Sequence, residues 1–120
     1  MLNLDTHILL HAINGSLNPK ELKLLTENAV WSISAIVLWE IETLYRKRRI
    51  GYGLDHPPMA EALRRLHIWP LSLEVCLNLS SLDFSSDPAD EIIAATSLTH
   101  SLPLLTRDAR IRRSKLIRCL

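Results

Sequence analysis

The stretch Met1-Leu2-Asn3-Leu4-Asp5-Thr6-His7-Ile8-Leu9-Leu10-His11-Ala12-Ile13 changes its period in the middle. Met1 to Leu4 is a short apolar run of the kind a buried strand needs, and it stops at an acid. Beyond Asp5, Ile8, Leu9, Ala12 and Ile13 recur at helical spacing. A strand that passes directly into a helix is the first half of a βαβ unit. Near the other end Leu102 to Leu105 repeats the theme, a short buried strand followed by Thr106, Arg107 and Asp108.

Between these ends the same alternation continues. The Asn14-Gly15-Ser16 turn and Asn18-Pro19 start a second helix through about Glu27. Ala29 to Ser34 is β-prone and Ile36 to Lys47 returns to helical spacing. Gly51-Tyr52-Gly53 and His56-Pro57-Pro58 bracket a loop before a helix around Met59 to Leu66. His67 to Leu71 reads as a strand, placed by Pro70 at a sheet edge or a strand end. Leu73 to Leu82 and Asp87 to His100 read as helices, and Ile117 to Leu120 as a last strand. Strands alternating with helices predict an α/β fold with a central, mainly parallel sheet flanked by helices. Trp31, Trp39 and Trp69 are assigned to its core, with a partner interface as the alternative for Trp39. At 120 residues the chain is expected to be a single domain, residues 1–120.

Composition narrows the classes. Hydrophobic residues are 48% and charged residues 22%, which excludes a disordered chain. No apolar run approaches the roughly 18 residues of a membrane span, so no membrane role is expected. Asp5 interrupts the N-terminal apolar stretch, and Cys76 and Cys119 are the only cysteines, so a reduced, cytoplasmic protein is expected. Net charge is only +1, but the charges are segregated. Arg107, Arg110, Arg112, Arg113, Lys115 and Arg118 stand against Asp108 alone, and Arg46-Lys47-Arg48-Arg49 contains no acid. Such runs suit an anionic partner, nucleic acid first; cations that complement helix C-termini are the alternative. The balance favours a functional surface for the C-terminal run and stays even for Arg46 to Arg49.

In a parallel sheet ligands gather at the carboxyl ends of strands, so the residues just after each strand carry the functional reading. Asp5 follows its strand directly, Asp108 follows Leu102 to Leu105 after Thr106 and Arg107, Glu40 lies in the second turn of the helix after Ala29 to Ser34, and Asp90 lies in the first turn after Asp87-Pro88. Four carboxylates at one edge repel, and a hard divalent cation offsets that repulsion. Structural readings stand beside each: Asp5, Asp87 and Asp108 as helix caps, Asp90 as a first-turn acid. Glu40, inside Ile36-Val37-Leu38-Trp39-Glu40-Ile41, is the hardest to explain structurally, because an unpartnered buried carboxylate is costly. His7 and His11 share a helical face but lack a third ligand of matching character, and His100 is assigned to the last carbonyls of its helix.

Leu4-Asp5-Thr6-His7 resembles the opening motif of PIN-domain proteins, particularly the toxins of VapBC-type toxin–antitoxin pairs. Ser34-Ala35-Ile36-Val37-Leu38-Trp39-Glu40-Ile41 is similar to their second motif, Asp87-Pro88-Ala89-Asp90 with Ile92 to Thr96 to the third, and Leu102 to Asp108 to the fourth. The resemblance runs through nearly the whole chain in order. It implies a PIN-like three-layer sandwich and a Mg²⁺- or Mn²⁺-dependent endoribonuclease that leaves a 5′-phosphate and a 3′-hydroxyl and stops translation. Asp5, Glu40, Asp90 and Asp108 would hold the metal and act in catalysis, with Thr6 and Thr106 as supporting hydroxyls. It also implies a homodimer, an RNA substrate, and a VapB-like antitoxin through which promoter DNA is bound. One position departs from the pattern: the family usually has a basic residue, most often Arg, after the third acid, and Glu91 stands here. That departure keeps a second reading open, a catalytically inactive PIN-like module that binds RNA or an antitoxin-like peptide.

Overall fold

The computed structural model describes all 120 residues. β1 (Leu2–Leu4) leads into α1 (Thr6–Asn14) and α2 (Pro19–Glu27), and β2 (Trp31–Ser34) into α3 (Ala35–Arg46) and α4 (Pro57–Arg65). β3 (His67–Trp69) is followed by α5 (Leu73–Asn78) and α6 (Pro88–His100), and β4 (Leu104–Leu105) by α7 (Ala109–Arg112). All four strands are parallel, in the order β3-β2-β1-β4. The chain steps outward from β1 to β3 and then returns across the sheet to β4. Right-handed crossovers put the outgoing and returning helices on opposite faces, which makes the three layers. No helix is long and apolar enough to cross a membrane.

Register follows from side-chain alternation. Leu2 pairs with Trp31, and Asn3 with Ser32 on one side and Leu104 on the other. Leu2, Leu4 and Ile33 are fully buried and join Ile8, Val37, Ile41 and Ile93 in a core of 16 buried residues. Asn3 points to the opposite face from Leu2 and Leu4. There its Nδ2 donates to Ser97 Oγ of α6 at 2.9 Å, and its Oδ1 accepts from Ser32 Oγ at 3.2 Å. Ala94 and Ala95, both fully buried, let α6 approach the sheet closely enough for that contact.

Several elements are shorter than their periodicity implies. β3 stops at Trp69 because Pro70 supplies no ladder donor. The helix starting at Leu73 ends at Asn78, whose side chain donates to Thr99 Oγ1 at 2.8 Å, and a 3₁₀ turn covers Leu79–Ser81. The expected strand Ile117 to Leu120 is reduced to one bridge, Cys119 to Leu104, because β4 itself offers only two residues. Trp39 is not core. It is 58% exposed, because α3 buries the stripe of Val37 and Ile41 and Trp39 lies about 200° from each. Trp31 and Trp69 are half-buried; Trp31 Nε1 donates to the carbonyls of Leu25 and Asn28, which holds the end of α2.

Asn3→Ala removes both bonds of the Ser32–Asn3–Ser97 chain and leaves two buried hydroxyls short of a partner. Its expected cost is about 1–3 kcal/mol, read as a lower urea midpoint with an unchanged slope.

Candidate metal site at the strand ends

Asp5 is the last extended residue before α1, and its placement serves two jobs. Its Oδ1 accepts from the amide of Ile8 at 2.8 Å, so it caps the helix. Its Oδ2 accepts from the hydroxyl of Thr106, the residue just after β4. The same Thr106 oxygen accepts from the amide of Asp108 at 3.0 Å. Asp108 in turn caps α7, accepting at Oδ1 from the amides of Arg110 (2.8 Å) and Ile111 (3.1 Å). One buried hydroxyl therefore joins the ends of β1 and β4, and the capping roles leave Asp108 Oδ2 free of protein donors.

Asp90 enters from the first turn of α6, where Oδ2 accepts from Ser86 Oγ at 3.0 Å. Burial raises its carboxyl above the ordinary range, and the negative charges of Glu40, Asp108 and Asp87 raise it further, against the lowering effect of Ser86. Asp5 is raised as well, foremost by burial and in small part by Asp90; Thr106, Ile8 and His7 oppose this. Asp90 thus senses Glu40 and Asp108 among the predicted acids, and Asp5 senses Asp90. No three His, Cys, Asp or Glu side chains are drawn to metal-holding distance in this arrangement. The donor set is nevertheless all carboxylate oxygen, suited to a hard divalent cation, and the buried Thr6 hydroxyl next to Asp5 has no protein partner. Thr6 makes no hydrogen bond to any of the acids, whereas Thr106 donates to the Asp5 carboxylate and accepts from the Asp108 backbone amide.

Other sequence expectations change. Asp87 holds the cap position of α6 but its side chain makes no capping bond; Glu91 Oε2 instead accepts from the amide of Ser86 at 3.1 Å. Glu91 is therefore engaged in the loop before α6. His100 does not bond the last carbonyls of its helix. Its ring stacks on Trp69 with centroids 3.8 Å apart, and Nε2 is buried without a partner. His11 meets Ser16 Oγ at 2.7 Å and Arg107 at 3.1 Å, so it is no metal ligand in this arrangement. The C-terminal basic run is partly drawn inward. Arg107 forks onto Glu21 with bonds of 2.7 and 2.6 Å, and Arg112 donates to the carbonyls of Thr106 and Leu120. Sequence spacing missed Ser86 and Glu21. Glu21 and Arg107 stand 86 positions apart, and Ser86 differs from its serine neighbours only in its tertiary partner.

Comparison with known proteins agrees with this fold. Residues 3–115 match the family described as PIN domain. The chain is 30% identical over 118 residues to Ribonuclease VapC22 of Mycobacterium tuberculosis, covering 91% of this chain and 88% of that protein. Among solved structures it is similar to VapBC2 from Rickettsia felis bound to a DNA fragment from its promoter, with TM-score 0.77 and 23% identity over 100% of this chain and 98% of that one. It is also similar to DNA-bound VapBC from Salmonella typhimurium, with TM-score 0.75 and 18% identity over 99% and 96% of the two chains.

Two outcomes are expected. Arg107 holds the Glu21 carboxyl down at about 2, from an ordinary 4.5. The stabilisation is complete above 4.5 and lost as pH falls toward 2, so Glu21→Gln flattens the stability–pH curve in that window and lowers stability at neutral pH. Asp90 has the opposite sign. Ionising it costs stability as pH rises through its raised value, so Asp90→Asn melts above wild type at neutral pH and the gap closes in acid, as scanning calorimetry at the two pH values would record.

Proposed function

The chain belongs to the PIN-domain family, and on that premise we propose that it is a metal-dependent endoribonuclease, the toxin of a toxin–antitoxin pair that cleaves RNA to inhibit translation. The observation that carries this reading is that Thr106 joins Asp5 and Asp108 at the carboxyl ends of two adjacent parallel strands, with the charges of Glu40 and Asp108 acting on Asp90 and that of Asp90 on Asp5. Asp5, Glu40, Asp90 and Asp108 would hold Mg²⁺ or Mn²⁺, which when bound lowers the pKa of a water and offsets charge on the scissile phosphate.

The chain's own residues set the stage for that chemistry. Thr106 fixes the Asp5 carboxylate by donating to Oδ2, and Ser86 fixes Asp90 in the same way. The Glu21–Arg107 fork and the bond from Arg112 to the Thr106 carbonyl hold the loop that carries Asp108. Because Asp5 is buried to 6% exposure, its negative charge is weakly screened and acts strongly on the shared space. The purely binding reading was motivated by Glu91, and the engagement of Glu91 by the Ser86 amide weakens that motive.

The partners follow from the same premise. A VapB-like antitoxin is supported by the VapBC complexes that share this fold, and promoter DNA would be reached through that antitoxin. An apolar groove of about 380 Å³ between α1, α2 and α4, lined in part by Leu9, Ile13, Leu22, Leu25 and Trp31, is shaped for an apolar segment of it. Exposed Trp39, Leu73 and Leu77 supply apolar surface that a homodimer would cover. A cytoplasmic location fits an RNA substrate.

The test is incubation of total cellular RNA with the purified chain in Mn²⁺, Mg²⁺ or EDTA, with Asp90→Asn as matched control. Discrete fragments that require metal are expected, and loss of one essential carboxylate should reduce the rate by about a hundredfold or more. Absence of cleavage by folded, metal-supplied wild type overturns the nuclease reading and favours a binding module, with Glu91→Arg the next variant.

A further inference from the structure

The second basic run meets a different fate from the first. Arg46, Lys47, Arg48 and Arg49 form the turn that ends α3, all four are exposed, and none meets a carboxylate. The ion pairs of the chain lie elsewhere, joining Lys23 to Glu27, Arg64 and Arg65 to Glu61, and Arg107 to Glu21. The turn is closed by amides of Arg48 and Arg49 donating to the carbonyls of Tyr45 and Leu44, each at 2.9 Å. Arg48 sits in the left-handed region at φ 58°, the position where helices commonly place glycine. One or two cations in the last turn would complement the helix dipole. A third in a conformation that disfavours side chains, and a fourth beyond it, are not explained by that role.

The surroundings suit a nucleic-acid strand. Tyr45, Arg46, Arg48, Arg49, Ile50 and Gly51 line an open hollow of about 600 Å³. Tyr45 is 43% exposed, with one side of its ring against Gly53, where a Cβ would come within 3.0 Å of Cδ2. The partly exposed ring lines the same hollow as Arg46, Arg48 and Arg49. The same helix carries Glu40. Seven positions separate Glu40 from Lys47, which is close to two helical turns, so Lys47 lies within about 20° of the Glu40 face and about 10 Å along the axis.

We propose that the turn ending α3 is a backbone subsite for single-stranded RNA, with phosphates running from the carboxylate cluster along α3 to Lys47 and the three arginines, and a base resting on Tyr45. This inference rests on the reading of RNA as substrate, and it names the path the strand takes away from the cut site. Phosphate contacts of this kind are sequence-tolerant, while stacking on an exposed ring requires unpaired bases.

The test measures binding without cleavage. A fluorescein-labelled oligouridine of about 12 nucleotides is titrated with the full chain in EDTA at several salt concentrations, read by anisotropy. The triple variant R46Q/K47Q/R49Q is expected to bind about tenfold more weakly at moderate salt, with the slope of log Kd against log salt reduced by about 2. R48G serves where the triple variant fails to fold. It relieves the left-handed residue, so it should melt no lower than wild type and still bind about threefold more weakly. Unchanged affinity and slope in the folded variants overturn the proposal, and would point to an acidic protein partner for this turn. A chain that binds with these losses but cuts no RNA would refute the nuclease and leave the subsite standing.

Discussion

A single hydroxyl sits where the two adjacent strands β1 and β4 end. Thr106 donates to Asp5 and accepts from the Asp108 amide, and both acids also cap helices, so strand ends, helix starts and candidate ligands are one hydrogen-bonded unit. The arrangement follows from chain reversal at the sheet: β1 leads outward toward β2 and β3, and the chain comes back on its other side as β4. Parallel strands end on the same edge, so residues about 100 positions apart in sequence become neighbours. Loosening this unit would affect fold and site together.

The site is built against its own electrostatics. Desolvation and mutual repulsion push Asp5 and Asp90 upward, which means the folded chain holds carboxylates where their charge is disfavoured. Residues a few ångströms away are arranged in the opposite sense. Glu21 lies 5% exposed yet strongly acidic, because Arg107 supplies a forked pair of donors and Asn18 a backbone amide. A satisfied pair thus stands beside an unsatisfied cluster. The contrast separates a structural ion pair from groups still open to an external cation, and neither kind could be told from the other by composition.

Basic residues divide by the same criterion. Arg107 and Arg112 are engaged by Glu21 and by backbone carbonyls, so the C-terminal run contributes less free charge than its sequence suggests. Arg46 to Arg49 have no such partners, and one of them is held in a conformation that disfavours a side chain. Within that run Arg107 and Arg112 therefore have structural partners that the sequence does not reveal. Charge density along a chain says nothing about which cations the fold will pair.

Periodicity alone was enough for the α/β class, the parallel sheet and the position of each acid just beyond a strand or early in a helix, because those depend on local spacing and on short apolar runs. Its errors lie where partners are remote. Trp39 reads as core from hydrophobicity but faces away from the Val37–Ile41 stripe, His100 finds Trp69 rather than its own helix end, and the last strand shrinks to a bridge beside a two-residue neighbour. Asp5, Glu40, Asp90 and Asp108 could be named from the sequence, each beside a plausible structural role. That Asp90 feels the charges of Glu40 and Asp108 while Asp5 feels that of Asp90, that Thr106 and not Thr6 bonds to the acids, and that Glu91 turns to Ser86 were decided by tertiary structure. The physical reason is range: helix and strand propensity act over a few residues, whereas Coulomb forces and hydrogen bonds act over a few ångströms, and only the folded sheet brings those residues that close.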